Sequence, residues 1–336
     1  MSQERQKSAQ TRGRYATSPN DIPRRGWLDI VWRSVRAARR DKVTMYAAGV
    51  AFYALLALFP TIAAVISLWG LLFDPVEAGR QMYEISRFMP PDAANLIDQQ
   101  AQEVVESAES GNVMAALAGL VTAMYIASKG VSVLVGGLNV VYGEQEKRPL
   151  LLRLVVLVAL TFGLIFMTLV SLGFIAVVPM VVNVLAIDPP LDSVVQWLRW
   201  PALLVLMSML IALLYRFAPY RRSAHWRWLS FGTLLATAMW LLGSGGLSLY
   251  VRYFSTFSDL YGSLGAVVAL MLWFWLSAFV VLLGAEVNCE MERQTLNDTT
   301  VGEPRPLGQR EAFAADTVGI KSPWSSHSPD SQKAQD

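Results

Sequence analysis

The chain has 336 residues, 54% of them hydrophobic and only 16% charged, against about 25% charged in soluble domains. A net charge of +2 gives no global pull toward nucleic acid, so the placement of charge matters more than its sum. Cys289 is the one cysteine, which excludes an intrachain disulfide; with only His225 and His327 beside it, a Cys2His2-type zinc site is excluded as well.

The first 22 residues are polar and basic and are expected to be disordered. The stretch "GWLDIVWRSVRAARRD", 26–41, then places Trp27, Ile30, Val31, Ser34 and Val35 on one helical face, with Arg33, Arg36, Arg39 and Arg40 elsewhere. This predicts a basic amphipathic helix on the inner leaflet, with the bilayer and its anionic lipids as partners. Each basic residue near such a surface adds about 1 kcal/mol. Nucleic acid is the alternative partner for the same charges, but adjacency to a membrane span accounts for them without it. Residues 1–43 are therefore read as a cytoplasmic tail.

Residues 44–73 pass without one Asp, Glu, Lys or Arg. The run is too long for a signal-peptide core of about 7–15 residues and exceeds the roughly 20 residues a span requires. Pro60, inside it, removes one backbone donor and marks a candidate kink or hinge. Five further apolar segments follow, near 113–141, 154–186, 201–218, 228–251 and 262–285. Each is too long for a transmembrane strand of about 9–11 residues. Residues 44–292 are therefore predicted to form an all-α integral membrane bundle of six transmembrane helices.

The connection 74–112 is acidic, and Ala93, Ile97, Ala101, Val104, Val105 and Ala108 recur in it at helical spacing. It reads as an extracytoplasmic helical loop, opened by Pro90-Pro91-Asp92. The segment 293–336 is rich in Asp, Thr, Ser, Pro and Gln and reads as a disordered cytoplasmic tail. Alternate connections differ sharply in basic residues. Segments 1–43, 142–153, 216–227 and the C-terminal tail hold 23 Lys and Arg, against four in the intervening ones. The positive-inside rule then places both termini in the cytoplasm of a bacterial cell, with the protein in the inner membrane.

A few polar residues interrupt the spans and are the candidate functional groups. If the second span is 113–133, Lys129 lies in its last turn and snorkels to the headgroups. If it is 119–141, Lys129 is central and needs a partner. Gly136-Gly137 weakens a helix there and favours the first reading. Glu286 and Asn288 stand at the end of the last span in "VVLLGAEVNCEMER", and Glu286 shares a face with Glu290 one turn on. They read either as a solvated helix end or as partners of Lys129 or Arg216 inside the bundle. Gly262, Gly265 and Gly284 are candidate helix-packing positions, with small-residue spacing along "YGSLGAVVALMLWFWLSA". No Gly-rich phosphate loop, HExxH, GxSxG or carboxylate–histidine set is present, so neither an enzyme nor a bound cofactor is expected.

The stretches "AAGVAFYALLALFPTIAAVISLWGLL", "LNVVYGEQEKRP", "LLYRFAP" and "YGSLGAVVALMLWFWLSAFVVLLGAEVN" resemble the YihY/virulence factor BrkB family, collinearly over about 35–292. The resemblance implies a multi-pass plasma-membrane protein and brings no catalytic residues with it. Some members carry an old ribonuclease name; one branch is associated with resistance to serum killing and another with lipid export. For this chain the expectation is transport or flipping of a lipid or another amphiphilic substrate. The alternative is a non-transporting envelope-integrity scaffold that uses the acidic outer loop; a ribonuclease is disfavoured.

Overall fold

A computed structural model describes residues 11–72, 113–184, 191–253 and 265–323. Their regular structure is helical, apart from an isolated antiparallel bridge between Ala224 and Thr300. After a 3-10 turn at Pro19–Asp21, the α-helices are α1 (Arg24–Arg40), α2 (Val43–Leu72), α3 (Val113–Val141), α4 (Leu150–Val184), α5 (Leu191–Phe217), α6 (Trp226–Tyr253), α7 (Gly265–Glu292) and the short α8 (Phe313–Asp316). Six of these, α2 to α7, contain stretches long and apolar enough to cross a membrane. In hydrocarbon every backbone group must be satisfied within its own segment, and continuous helices meet that demand. The expected all-α bundle of six spans is the observed fold class.

Two compact units divide the chain. One comprises Met1–Met45, Val135–Trp240 and Phe279–Asp336; the other comprises Tyr46–Leu134 and Leu241–Ala278. In the second unit, α2 and α3 approach closely through small residues. A Cβ at Gly130 would lie 3.2 Å from Tyr53 Cβ, and one at Gly49 would lie 3.0 Å from Val133 Cγ1. Pro60 sits inside α2, which continues to Leu72. The ring cannot donate to the carbonyl one turn back, and next to it Thr61 Oγ1 donates to the Ala57 carbonyl at 2.7 Å.

α3 covers the expected segment 113–141 and decides between the two spans weighed for Lys129. It does not end near residue 133 but runs to Val141, straight through Gly136-Gly137. A helical glycine costs about 1 kcal/mol relative to alanine, and the burial of Leu134, Val135 and Leu138 around the pair outweighs that. Lys129 is consequently the thirteenth of the 25 residues in the span Leu117–Val141, not a member of its last turn.

A correction concerns the two ends of the chain. Residues 11–22 and 293–323, expected to be disordered, are packed together. Arg12, Arg14, Thr295, Thr299, Thr300, Arg310, Ala314 and Ala315 are buried. Leu296 N donates to the Arg14 carbonyl, Gly319 N to the Arg293 carbonyl and Arg222 N to the Glu311 carbonyl. Few apolar side chains contribute, which is why composition suggested disorder. Arginines reaching backbone carbonyls do the work that aliphatic burial does elsewhere. Arg310 alone donates to the carbonyls of Leu296, Asn297, Arg305 and Ala315. We call this assembly the polar cap. The expected outer helical loop 74–112 and Gly262 lie outside the described residues.

Candidate functional site

The end of α7 carries the densest set of buried polar groups. Four apolar residues, "VVLL", lead into "GAEVNCEMER", and Glu286, Asn288, Glu290 and Glu292 are all buried. A buried carboxylate needs a partner, and the two distal ones have theirs. Arg33 of α1 donates from Nε to Glu290 Oε2 at 2.5 Å and from Nη2 to Gln294 Oε1 at 2.7 Å, while its Nη1 reaches the Ile320 carbonyl at 2.9 Å. Arg293 closes on the other oxygen of Glu290 at 2.5 Å. Arg221 Nη2 bridges both oxygens of Glu292, at 2.9 and 2.7 Å, and Thr299 donates to the same carboxylate at 2.9 Å. The Arg221 guanidinium also lies 4.6 Å from the centre of the Tyr142 ring. Burial opposes its charge, but Glu292 overcomes that and holds the guanidinium above its ordinary range.

Nearby, Asp29 joins Arg12 at 2.8 Å and accepts the Ser322 N–H at 2.8 Å. Residues 11–23, α1, the end of α7 and residues 317–323 are thus tied by one chain of charged groups. The motif "LNVVYGEQEKRP" supplies a second tie. Asn139 Oδ1 accepts the Tyr220 N–H at 2.7 Å, and Arg148 donates to the Pro219 carbonyl at 2.9 Å and to Glu146 at 3.2 Å. Glu144 accepts the Phe313 N–H at 2.8 Å, and burial raises its carboxyl above the usual range.

The candidate residues separate into distinct places. Asn288 ties α7 to α6, accepting the Gly232 N–H at 2.9 Å and donating to the Leu229 carbonyl at 3.2 Å. Gly284 allows that approach. A Cβ there would lie 2.7 Å from the Gly232 carbonyl and 2.8 Å from Ala236 Cβ. Tyr215 of α5 completes the contact by donating to the Val281 carbonyl at 2.6 Å. Glu286 meets the Asp41 carboxyl, with Arg40 and Glu290 as further charged neighbours. Its Oε1 is buried without a hydrogen-bonding partner among the described residues. Arg216 donates to the Ala224 carbonyl at 3.0 Å and lies 4.6 Å from the Trp226 ring centre. Gly265 opens α7 and is buried.

Lys129 belongs to the second unit and stands apart from these groups in character. It is exposed in the middle of its span, and its ammonium lies 4.9 Å from the centre of the Tyr125 ring. Ala118, Thr122 and Tyr125 are exposed on the same helical face, one turn after another. Thr122 spends its hydroxyl proton on its own helix, donating to the Ala118 carbonyl at 2.8 Å. The side chains this face offers an incoming molecule are therefore a cation and a phenol. Among the described residues no three His, Cys, Asp or Glu side chains cluster as a metal ion would require.

Asp29, Arg221 and Glu292 were not among the expected functional groups, and Arg33, expected on the basic side of a leaflet-bound helix, is buried against Glu290 instead. The signal for two of them was present: Asp29 and Arg33 interrupt an otherwise apolar face four residues apart, a spacing that brings them to one side of a helix.

The family described as Virulence factor BrkB matches residues 34–307. The chain belongs to this family. Among curated relatives, the ribonuclease-like protein YfkH of Bacillus subtilis (strain 168) is 27% identical over 252 residues, covering 74% of this chain and 89% of YfkH. A UPF0761 membrane protein of Alteromonas mediterranea is 26% identical over 293 residues, 83% of this chain and 93% of its own. Another, from Cronobacter sakazakii, is 26% identical over 312 residues, 88% and 95%. No solved structure matches the chain. The BrkB match begins inside α1 and ends within the polar cap. It therefore takes in most of the arginine–carboxylate ties at the end of α7 as well as the six spans.

Proposed function

We propose that this BrkB-family membrane protein transports amphiphilic molecules with anionic headgroups, and that Lys129 receives the headgroup. The supporting observation is the place of that residue. Lys129 lies about 18 Å along the α3 axis from Val141 and is exposed there. A lysine at the centre of a span costs about 2.5–3.5 kcal/mol on insertion scales. A chain keeps such a group where water or a negative charge reaches it. Tyr125, one turn away, covers one side of the ammonium with its ring and leaves the other for a ligand. A phosphate or carboxylate on an acyl chain offers both the charge and the apolar body that such a helix face accommodates. The scaffold alternative rests on residues 74–112, which lie outside the described residues.

We further infer that the protein sits in the bacterial plasma membrane with the polar cap in the cytoplasm. The warrant is the 23-to-four division of basic residues between the two sets of connections. In intact cells, and with Cys289 replaced by serine, a thiol reagent should label Asn95→Cys and spare Lys147→Cys; the opposite pattern reverses the orientation.

The functional test uses proteoliposomes loaded with fluorescent anionic or zwitterionic lipid, with transbilayer movement read by surface quenching. The wild type should move the anionic lipid faster than empty liposomes do. Lys129→Ala should lose at least about tenfold, equivalent to 1.4 kcal/mol, at unchanged abundance, and Lys129→Arg should retain part of the rate. A wild-type rate equal to that of empty liposomes, or full activity of Lys129→Ala, removes the proposal.

A further inference from the structure

Helix α1 turns its polarity opposite to the usual sense. Its Asp29 and Arg33 are buried, whereas Leu28 is 52%, Val31 52% and Val35 49% exposed. Those three stand at i, i+3 and i+7, one strip of a 3.6-residue helix. Exposed arginines bracket the strip: Arg24 and Arg25 before it, Arg36 and Arg39 after it. The Arg36 guanidinium lies 5.4 Å from the centre of the Trp32 ring. Asp29 is the one acidic residue of α1, and it is turned inward onto Arg12. The open face thus carries aliphatic and cationic groups and no carboxylate.

Two contacts fix the depth at which the helix lies, one from Trp27 at the flank of the strip and one from Arg33 on the opposite side. The Trp27 ring is 4.3 Å from the Phe231 ring, centre to centre. Phe231 is the sixth residue of the span Trp226–Val251, about 8 Å inside its first residue. Arg33 holds Glu290, two residues before the end of the span Val267–Glu292. α1 is therefore docked against the ends of two spans, and Gly26 lets residues 12–22 close over its first turn. A Cβ on Gly26 would press on the Arg12 carbonyl at 2.6 Å and on Ile22 Cγ2 at 2.7 Å. A helix anchored at this level, with an aliphatic strip turned away from the protein, looks onto the headgroup region.

We propose that the open face of α1 is a docking surface for anionic lipid in the leaflet on the side of the polar cap. Leu28, Val31 and Val35 enter the headgroup–acyl boundary, and Arg24, Arg36 and Arg39 bind lipid phosphates. Charge complementarity and chain continuity favour this occupant: α1 ends three residues before α2, the first span, begins. A second copy of the chain meeting this face isologously would set arginine row against arginine row. The buried charges explain the inversion. Asp29 and Arg33 pin the helix to the polar cap from within, which leaves its aliphatic side for the bilayer. This surface is independent of Lys129 and stands or falls apart from the transport reading.

The test uses the full chain with Cys289→Ser, spin-labelled at Leu28→Cys, Val31→Cys or Val35→Cys, with Glu303→Cys on the exposed edge of the polar cap as control. Each is reconstituted in nanodiscs of phosphatidylcholine, alone or mixed with phosphatidylglycerol. The three α1 labels should be more accessible to oxygen than to a water-soluble nickel complex, and the control the reverse. Their immersion should deepen with phosphatidylglycerol, and this deepening should vanish in a variant combining Arg24→Gln, Arg36→Gln and Arg39→Gln. Nickel accessibility at all three positions would show a wet face and overturn the proposal. Protection from both reagents with dipolar broadening would show a protein partner or second copy, with the same result. Deepening that survives loss of the three arginines would overturn the role assigned to lipid phosphates.

Discussion

Where α6 and α7 cross at Gly232 and Gly284, contact depends on missing side chains; a turn and a half further along α7, at Glu290, it depends on long charged ones. In a bilayer, lipid tails are as apolar as leucine, so burying leucine gives helices no reason to associate. Close backbone approach and a few well-placed hydrogen bonds supply one, and α6, α7 and α5 use Gly232, Gly284, Asn288 and Tyr215 for the purpose. At the polar cap the apolar material is sparse, and the same helix continues into a lattice of arginine, carboxylate and carbonyl groups. One element thus changes its means of cohesion along its length, and the two halves should fail differently when substituted.

The largest expected effect breaks the charge-held side. Arg33 touches Glu290, Gln294 and the Ile320 carbonyl at once. Arg33→Ala takes this partner from the buried Glu290 and Gln294 and leaves Glu290 to Arg293 alone. Losing one partner of a buried pair costs about 3–5 kcal/mol when nothing else compensates the charge, so the loss should fall near the lower end, about 3 kcal/mol. Hydrogen exchange in detergent should rise across residues 11–22 and 317–323 while the interior of α4 and α5 keeps its protection. A cost below about 1 kcal/mol, the range of exposed pairs, would show that something other than charge holds the polar cap.

A smaller effect is expected on the close-packed side. Gly284→Val forces the Gly232 carbonyl, Ala236 and Tyr215 apart, and overpacking of this kind costs about 1–3 kcal/mol. The thermal midpoint should fall and the Tyr215–Val281 hydrogen bond should open, with exchange in the polar cap little changed. Loss confined to the polar cap would mean that the α6–α7 crossing is not where the spans are held.

This contrast also explains what the sequence disclosed. The six spans were legible because long uncharged runs have a single structural outcome in a membrane. Gly284 was legible as a small residue at a packing position, whereas Asn288, one helical turn on, was singled out as a polar residue without its tie to α6. The polar cap was not, because its ordering depends on pairs far apart in the chain, such as Arg33 with Glu290 and Arg14 with the Gly319 carbonyl. Low apolar content signals disorder only when no partner surface is available, and composition carries no record of partners. Of the two depths open to Lys129, the one nearer a helix end was favoured because Gly136-Gly137 was read by local propensity, which tertiary burial overrode.

The smallest effect probes the edge of the polar cap, where both modes of contact meet. Gly143 has a positive φ of 69° and no Cβ, and the Phe313 ring occupies the space a Cβ would take. On another side the Arg293 guanidinium lies 5.4 Å from the ring centre. Phe313 is 41% exposed, so it forfeits only part of its transfer energy when truncated. The exposed cation–π contact adds about 0.5–1 kcal/mol. Phe313→Ala should therefore cost about 1 kcal/mol, with little change in the global midpoint. Its signature is local. The Phe313 N–H that Glu144 accepts should exchange faster, and protease should cut within 301–316 sooner than in the wild type, while residues 293–297 stay protected by Arg14 and Thr295. Cutting that begins instead at 293–297 would mean that the polar cap opens as one body, and the graded picture of a charge-held centre with a ring-held margin would be lost.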